Sequence, residues 1–298
     1  MGAVILKVLK WLLLAVLLLA VGLLFLIWYV GAWNALFPSS VHETEPPTLP
    51  ASLTRPAVLV FTKTNGFRHV DGIAGGKLAI ERMAEKHGYS VFATENGAVF
   101  NPRDLALFDA VVFLNATGDL FNEQQEAAMQ SYIESGGGWV GIHAAGDGSH
   151  AGWPWYRENL VGADFTAHIM GPQFQTATVN LENTWHPVLR DVVEQFAHEE
   201  EWYSWAQSPR TEGFTVLATI DESSYVPVQK LLGAENDLRM GDHPVVWSNC
   251  VGDGRSIYLA MGHQGEAFEQ PQVALLLDNA INWARNRSAA CERASDRG

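Results

Sequence analysis

The stretch Gly136-Gly137-Gly138-Trp139-Val140-Gly141-Ile142-His143-Ala144-Ala145-Gly146 joins a glycine-rich turn, a short apolar run and a histidine flanked by small residues. Small neighbours are what a sharp strand-to-helix elbow demands, because larger side chains there collide with adjacent backbone. Nucleophile enzymes present Ser or Cys at such an apex. This chain presents His143, whose imidazole changes charge near neutral pH and suits general acid–base chemistry or metal ligation. Two further histidines fall just after predicted strands: His69 after the run 57–62, and His263 after 256–260. Ligands bind beyond the carboxyl ends of strands in open parallel sheets, so His69, His143 and His263 are predicted on one sheet edge. His42, His87 and His150 lack such a placement and are read as structural.

The residues around these histidines suit a polar pocket. Asn65 and Arg68 belong to the loop Asn65-Gly66-Phe67-Arg68-His69, and Asn115 to Asp119 form a small polar loop after a third strand. Glu201 and Tyr203 belong to a run of carboxylates and aromatics, and Asp147, Trp153 and Trp155 follow the elbow. Aromatic faces beside amides and carboxylates are what a sugar requires, stacking against its C–H face and hydrogen bonds to its hydroxyls. Trp153 and Trp155, in a Pro-interrupted loop, are placed at the pocket mouth, whereas Trp139, Trp247 and Trp283 are read as packed. Three histidines, with His143, His168 and His263 as candidates, or two with a glutamate, could hold a divalent metal in an open site. No compact His-x-x-x-His spacing supports one, so the metal stays open. A shared site requires His143, His168 and His263 to converge.

The elements that must position these groups follow from hydrophobic periodicity. Residues 57–62, 89–93, 109–114 and 138–142 read as buried strands, with helices over 77–87 and from Asn122 to Ile133 between them. Asn122 and Gln125 have capping-box spacing, and Gly88 closes the first of these helices. This alternation predicts an α/β fold with a mostly parallel sheet and helices on both faces. Residues 174–225 are more strand-like and less regular. Strands return at 244–247 and 256–260, and a last helix covers 272–285.

The N-terminus differs in kind. Lys7 and Lys10 precede an uncharged apolar run of about 20 residues, enough to cross a bilayer as a helix. Trp11 at one end and Trp28, Tyr29 and Trp33 at the other resemble interfacial belts, and basic residues do not recur until Arg55. The predicted organisation is a cytoplasmic N-terminus (1–10), a single-pass signal anchor contacting the lipid bilayer through residues 11–31, a Pro-rich linker (32–56) holding the domain off the membrane, an extracytoplasmic domain (57–286) and a polar tail (287–298). The formal net charge of −14 argues against nucleic acid as a partner. Cys250, ending an apolar strand, and Cys291, in the tail, are expected to remain unpaired, although export would permit a bridge.

Taken together, GFRH (66–69), GGGWVGIHAA (136–145), ADFTAH (163–168), HPV (186–188), EEWY (200–203), HPVVW (243–247) and GRSIYLAMGH (254–263) resemble the trehalose-utilization ThuA-like family from about Ala57 to Arg285. The resemblance implies a flavodoxin-like, class I glutamine amidotransferase-like fold and a small-molecule saccharide partner, with trehalose, glycosides or 3-keto-glycosides as the substrate class. It also implies functional roles for His69, His143, His168, His186, His243 and His263. The family's Asp-Glu-x-Tyr element falls on Glu200, Glu201 and Tyr203, with Glu200 where the family usually carries Asp. Amidotransferases of this fold carry Gly-x-Cys-x-Gly at the elbow. Here the apex is His143, which argues against glutaminase activity.

Two functions are therefore expected to compete. In the first, His143, Glu201, His69 and His263 do acid–base or metal-assisted chemistry on a sugar, as lyase, isomerase or hydrolase. Asn65, Arg68, Asp147, Trp153, Trp155, Tyr203, His168 and His243 then bind the substrate. In the second, the same pocket belongs to a non-catalytic, membrane-tethered carbohydrate-binding or sensing module. A scaffold role in an envelope assembly is a third, weaker reading.

Overall fold

The computed structural model of the chain describes residues 2–150, 152–231 and 234–297. Residues 1 and 298, the outer ends of the expected cytoplasmic segment and tail, lie outside them. The apolar leader forms one continuous helix, α1 (Gly2–Tyr29). Its span Val4–Tyr29 has a mean hydropathy of 2.8, is long and apolar enough to cross a membrane, and is exposed in its most apolar window. A short turn of helix, α2 (Trp33–Leu36), follows.

The domain is built on β1 (Ala57–Phe61), β2 (Ser90–Thr94), β3 (Ala110–Leu114) and β4 (Gly138–Ile142). Its main helices are α3 (Val70–His87), α5 (Glu123–Glu134) and α7 (Pro271–Ala284), with the short α4 (Pro102–Leu105) and α6 (Pro154–Tyr156). The Asn122–Gln125 capping box opens α5 as its sequence requires. The remaining strands are β5 (Phe165–His168), β6 (Gln175–Leu181), β7 (Gln195–Glu200), β8 (Tyr203–Trp205), β9 (Thr215–Asp221), β10 (Val228–Leu231), β11 (Ala234–Asp237), β12 (Pro244–Val251) and β13 (Gly254–Leu259).

Nine strands form one sheet in the order β2-β1-β3-β4-β13-β12-β9-β6-β7. The expectation of a mostly parallel sheet holds for one half. Strands β2, β1, β3, β4 and β13 are mutually parallel, but β12, β9, β6 and β7 continue the sheet antiparallel. The sheet is mixed because the chain between β4 and α7 returns through hairpins rather than helical crossovers. Within the parallel half, the β1–α3–β2 crossover runs one way along the sheet and β3–α5–β4 the other. Right-handed connections then place α3 and α5 on opposite faces. The reversal between β1 and β3 makes the switch point at which such sheets bind ligands.

Two expectations are corrected. Helix α3 begins at Val70, not near Lys77. Its first turns are glycine-rich and so weak in helix propensity, yet Gly72 is required there, since a Cβ would lie 2.3 Å from the Gly262 carbonyl oxygen. Cys250 and Cys291 are disulfide-bonded, because the tail folds back over β12, where Arg293 also bonds the Asn249 side chain.

Residues 39–45, expected as a free linker, are laid along the domain. Lys63, buried beside β1, donates to the carbonyls of Val41 and Leu120 and to Glu43 at 2.8 Å. Glu43 also accepts the Gly97 N–H, and its backbone carbonyl accepts Gln125 Nε2. This strap lies between Pro38 and Pro46 and is held to the domain by these bonds, so it is not a spacer.

Candidate functional site

The site lies at the carboxyl edge of the parallel strands. His143 directly follows β4 with φ of +45°, a backbone region disfavoured for a residue with a Cβ and held only where surrounding structure fixes it. Here the elbow is held through backbone groups. Tyr258 Oη donates to the His143 carbonyl at 2.6 Å, and Asn115, itself at φ +52°, accepts the Ala144 N–H and donates to the Gly262 carbonyl. The imidazole is fully buried. Its Nδ1 lies 2.8 Å from the Ala260 carbonyl and must donate to it, so Nε2 faces the site, as a lone pair in the neutral ring and as a donor to Glu201 in the protonated one.

Glu201 stands at the centre. Its Oε2 is 3.0 Å from His263 Nδ1 and 3.4 Å from His143 Nε2, and His143 Nε2 is 3.1 Å from His263 Nδ1. Its Oε1 is 3.0 Å from His168 Nδ1 and accepts a bond from Gln173. The His69 ring packs edge-on against both His143 and His263, with centroids 4.9 and 4.6 Å away. His69 Nδ1 is buried and has no hydrogen-bond partner among the described residues.

Electrostatics follow from this crowding. Burial works to raise the Glu201 pKa, but hydrogen bonds from His143, His168 and His263 outweigh it and hold the carboxyl far below the usual range. Burial opposes charge on His143 as well, yet Glu201 and Glu200 raise its pKa. His69 is pushed well below the ordinary imidazole value by burial, then by His143 and His263.

The donor set fits a divalent metal ion. His69, His143, Glu201 and His263 each offer one ligand atom, all within 4.8 Å of one another. Ligand atoms on a tetrahedral shell of about 2.1 Å radius are separated by roughly 3.4 Å. The 3.0–3.4 Å spacings among His143, Glu201 and His263 are close to that. The Nδ1–carbonyl bond of His143 is the outer support that a ligating imidazole normally has.

Of the sequence-predicted residues, His69, His143, His263 and Glu201 converge, with His168 on the second carboxylate oxygen and the Tyr203 ring tilted against His143, centroids 4.3 Å apart. His168, expected among metal candidates, stands beside the four-residue group, not in it, and His69 takes that place. Others turn elsewhere. Asn65 Nδ2 bonds the Asp119 carbonyl, and Arg68 is bonded to Thr64 and Glu95. Asp147 accepts from Ser149, and burial raises its pKa. Trp153 is buried against Phe121 and Tyr156, and Trp155 stacks on it and donates to Glu134. His243 bridges Glu222 and the Tyr203 carbonyl, so it holds β8 in place. His186 caps a short turn at Val188.

Sequence reasoning set Glu200 behind Glu201 and passed over Gln173. Glu200 ends the edge strand β7, yet its Oε2 accepts the Gly262 N–H at 2.6 Å and so fixes the loop bearing His263. The sheet must curl to bring β7 back over β13, and only the paired glutamates hinted at this. Gln173 carried no signal. A cavity of about 320 Å³ adjoins the elbow, lined in part by Ala145, Gly146, Tyr156, Arg157 and Phe165. Phe165 packs 4.6 Å from Tyr203, which ties the cavity to the cluster.

A mixed α/β sheet of amidotransferase-like topology, with histidine in place of a thiol at its elbow, defines the class. Residues 57–284 match the ThuA family, described as trehalose utilisation, and the chain belongs to that family. A ThuA-like protein from Bacteroides uniformis superposes with a TM-score of 0.65 at 27% identity, covering 80% of this chain and 95% of that one. A second, from Parabacteroides merdae, gives 0.58 at 18% identity over 80% and 93%. A cytoplasmic protein of Salmonella typhimurium LT2 shares the fold at 12% identity, with a TM-score of 0.51 over 76% and 99%. No curated protein matches the chain.

Proposed function

We propose that this protein is a membrane-anchored enzyme of sugar metabolism, acting on trehalose-related glycosides or their 3-keto forms. Helix α1 is the anchor, and Lys7 and Lys10 ahead of the apolar run orient it with the domain outside the cytoplasm. One observation carries the catalytic reading: three histidines share a single buried carboxylate, Glu201, with His69 packed over two of them.

His69, His143, His263 and Glu201 would hold a divalent ion, which would supply Lewis-acid polarisation of a carbonyl or hydroxyl oxygen of the sugar. His168 works beside them. Its Nδ1–H donates to Glu201 Oε1, which orients the ring and leaves Nε2 free to take a proton from a carbon next to a keto group. The C–H electron pair becomes a C=C bond as the carbonyl π pair moves onto oxygen; collapse of this enolate breaks the C–O bond at the β-carbon, and the proton held by His168 passes to the departing oxygen. Tyr203 fixes the His143 ring, and the adjoining cavity offers the Phe165 face and the Arg157–Asp164 pair to a second sugar ring.

The test is a turnover screen of the full-length protein against glycosides and 3-keto-glycosides. His168→Gln should lose turnover by about 10²–10⁴-fold while retaining metal. Saccharide binding by wild type with no turnover of any such compound would reject the enzyme in favour of a sugar-binding module.

A further inference from the structure

Helix α1 leaves the domain at the loop that carries His69. Gly31, just past the helix, accepts the Arg68 N–H at 2.9 Å through its carbonyl. Its φ of +78° and the Arg68 carbonyl oxygen, 2.0 Å from where a Cβ would stand, both demand glycine. Asn34 Nδ2 donates to the Thr64 carbonyl at 2.7 Å, and the Ser39 N–H to the Asn65 carbonyl at 3.1 Å. No spacer therefore separates the apolar helix from the site loop. The helix itself projects from the domain, its most apolar window unburied.

Apolar side chains are exposed around the same edge. Trp33, Leu36 and Phe37 lie at the foot of α1, and Val70 follows His69. Met170, two residues beyond His168, is 60% exposed, as is Val226, which is bonded through its backbone to Gln175, next to the Phe174 that touches His263. The domain's other comparably exposed large apolar side chains, such as Leu78, Leu107 and Val193, sit singly on separate elements. Scattered apolar residues are normal on a surface, but several gathered at one edge mark a contact. Aromatic residues at the foot of an apolar helix belong to the headgroup level.

We propose that this apolar collar seats on the bilayer surface, so that the mouth of the His/Glu site opens at the lipid–water interface. The inference rests on reading α1 as a membrane span and is independent of the reaction catalysed. A helix crossing with ordinary tilt brings the edge at its foot down to the headgroups, and the direct Gly31–Arg68 bond leaves no length to lift it.

The test uses full-length protein in phosphatidylcholine vesicles, with an environment-sensitive fluorophore on single introduced cysteines and the native disulfide kept oxidised. Met170→Cys and Val226→Cys probe the collar, Leu107→Cys the remote surface and Leu18→Cys the helix. All four positions are exposed, so the substitutions spare the core. Seating requires that lipids carrying a quencher at headgroup depth reduce the signals at 170 and 226, while a soluble quencher reduces only the signal at 107. Labels at 170 and 226 as wet as that at 107, with 18 in lipid, would overturn the collar and leave the anchor standing. A wet label at 18 would overturn both.

Discussion

Glu201 Oε2 and His143 Nε2 stand 3.4 Å apart, both side chains buried, at the meeting point of an edge-strand end and the β4 elbow. That contact joins the parallel and antiparallel halves of the sheet at one reactive centre. Glu201→Gln keeps the shape but removes the charge three histidines share. It should lower turnover by about 10²–10⁴-fold while leaving the circular dichroism spectrum unchanged. Retention of near-wild-type turnover would remove Glu201 from the chemistry.

The elbow itself stores strain. At φ +45° a β-branched residue fits poorly, whereas Asn tolerates the left-handed region. His143→Val should therefore be less stable than His143→Asn by about 1–3 kcal/mol, read from urea denaturation midpoints. Equal stability would mean that the elbow relaxes when its histidine is lost.

The strap should be pH-sensitive. Burial works to raise the Glu43 pKa, but bonds from Lys63 and the Gly97 N–H bring it below the ordinary carboxylate value. A depressed folded pKa means that stability is present above the unfolded value, about 4.3, and is lost as pH falls through the lower folded one. Partial exposure of Glu43 limits its worth to about 1 kcal/mol. Proteolysis within residues 39–45 should rise below about pH 4 in wild type and be raised already at neutral pH in Glu43→Gln. Cleavage independent of both would detach the strap from this pair.

The disulfide fastens the C-terminal tail across 41 residues of chain, and loop-closure arithmetic allows it at most about 4 kcal/mol. Cys291→Ser should lower the melting temperature and expose the tail beyond Asn286 to proteases, with ion binding unchanged.

Much of the site was legible because strand ends are legible. His69, His143 and His263 each follow an apolar run, and the parallel alternation alone predicts their shared edge. Glu201 lies in a visible run of carboxylates and aromatics, from which the family resemblance singles it out, and the antiparallel half hid the rest. Nothing local tells that β7 curls back so that Glu200 reaches Gly262. Asn65 and Arg68 have the right types in the right loop, but the strap and the strand ends claim their donors. Trp153, placed at a pocket mouth by its Pro-interrupted loop, packs against Phe121 and Tyr156 and borders a cavity with Asp119 and Glu126, away from the His/Glu cluster. The Pro-rich segment 32–56 reads as a tether because proline marks extended chain, whether free or bound.

The most direct test of the account is divalent-ion binding by the full-length protein, stripped with chelator and titrated with Zn²⁺ and Mn²⁺ by calorimetry. Wild type should bind one ion per chain, His168→Gln should bind like wild type, and His143→Ala and Glu201→Gln should each bind at least about tenfold more weakly. No binding by wild type, or equal binding by all four proteins, would contradict the metal centre at His69, His143, Glu201 and His263.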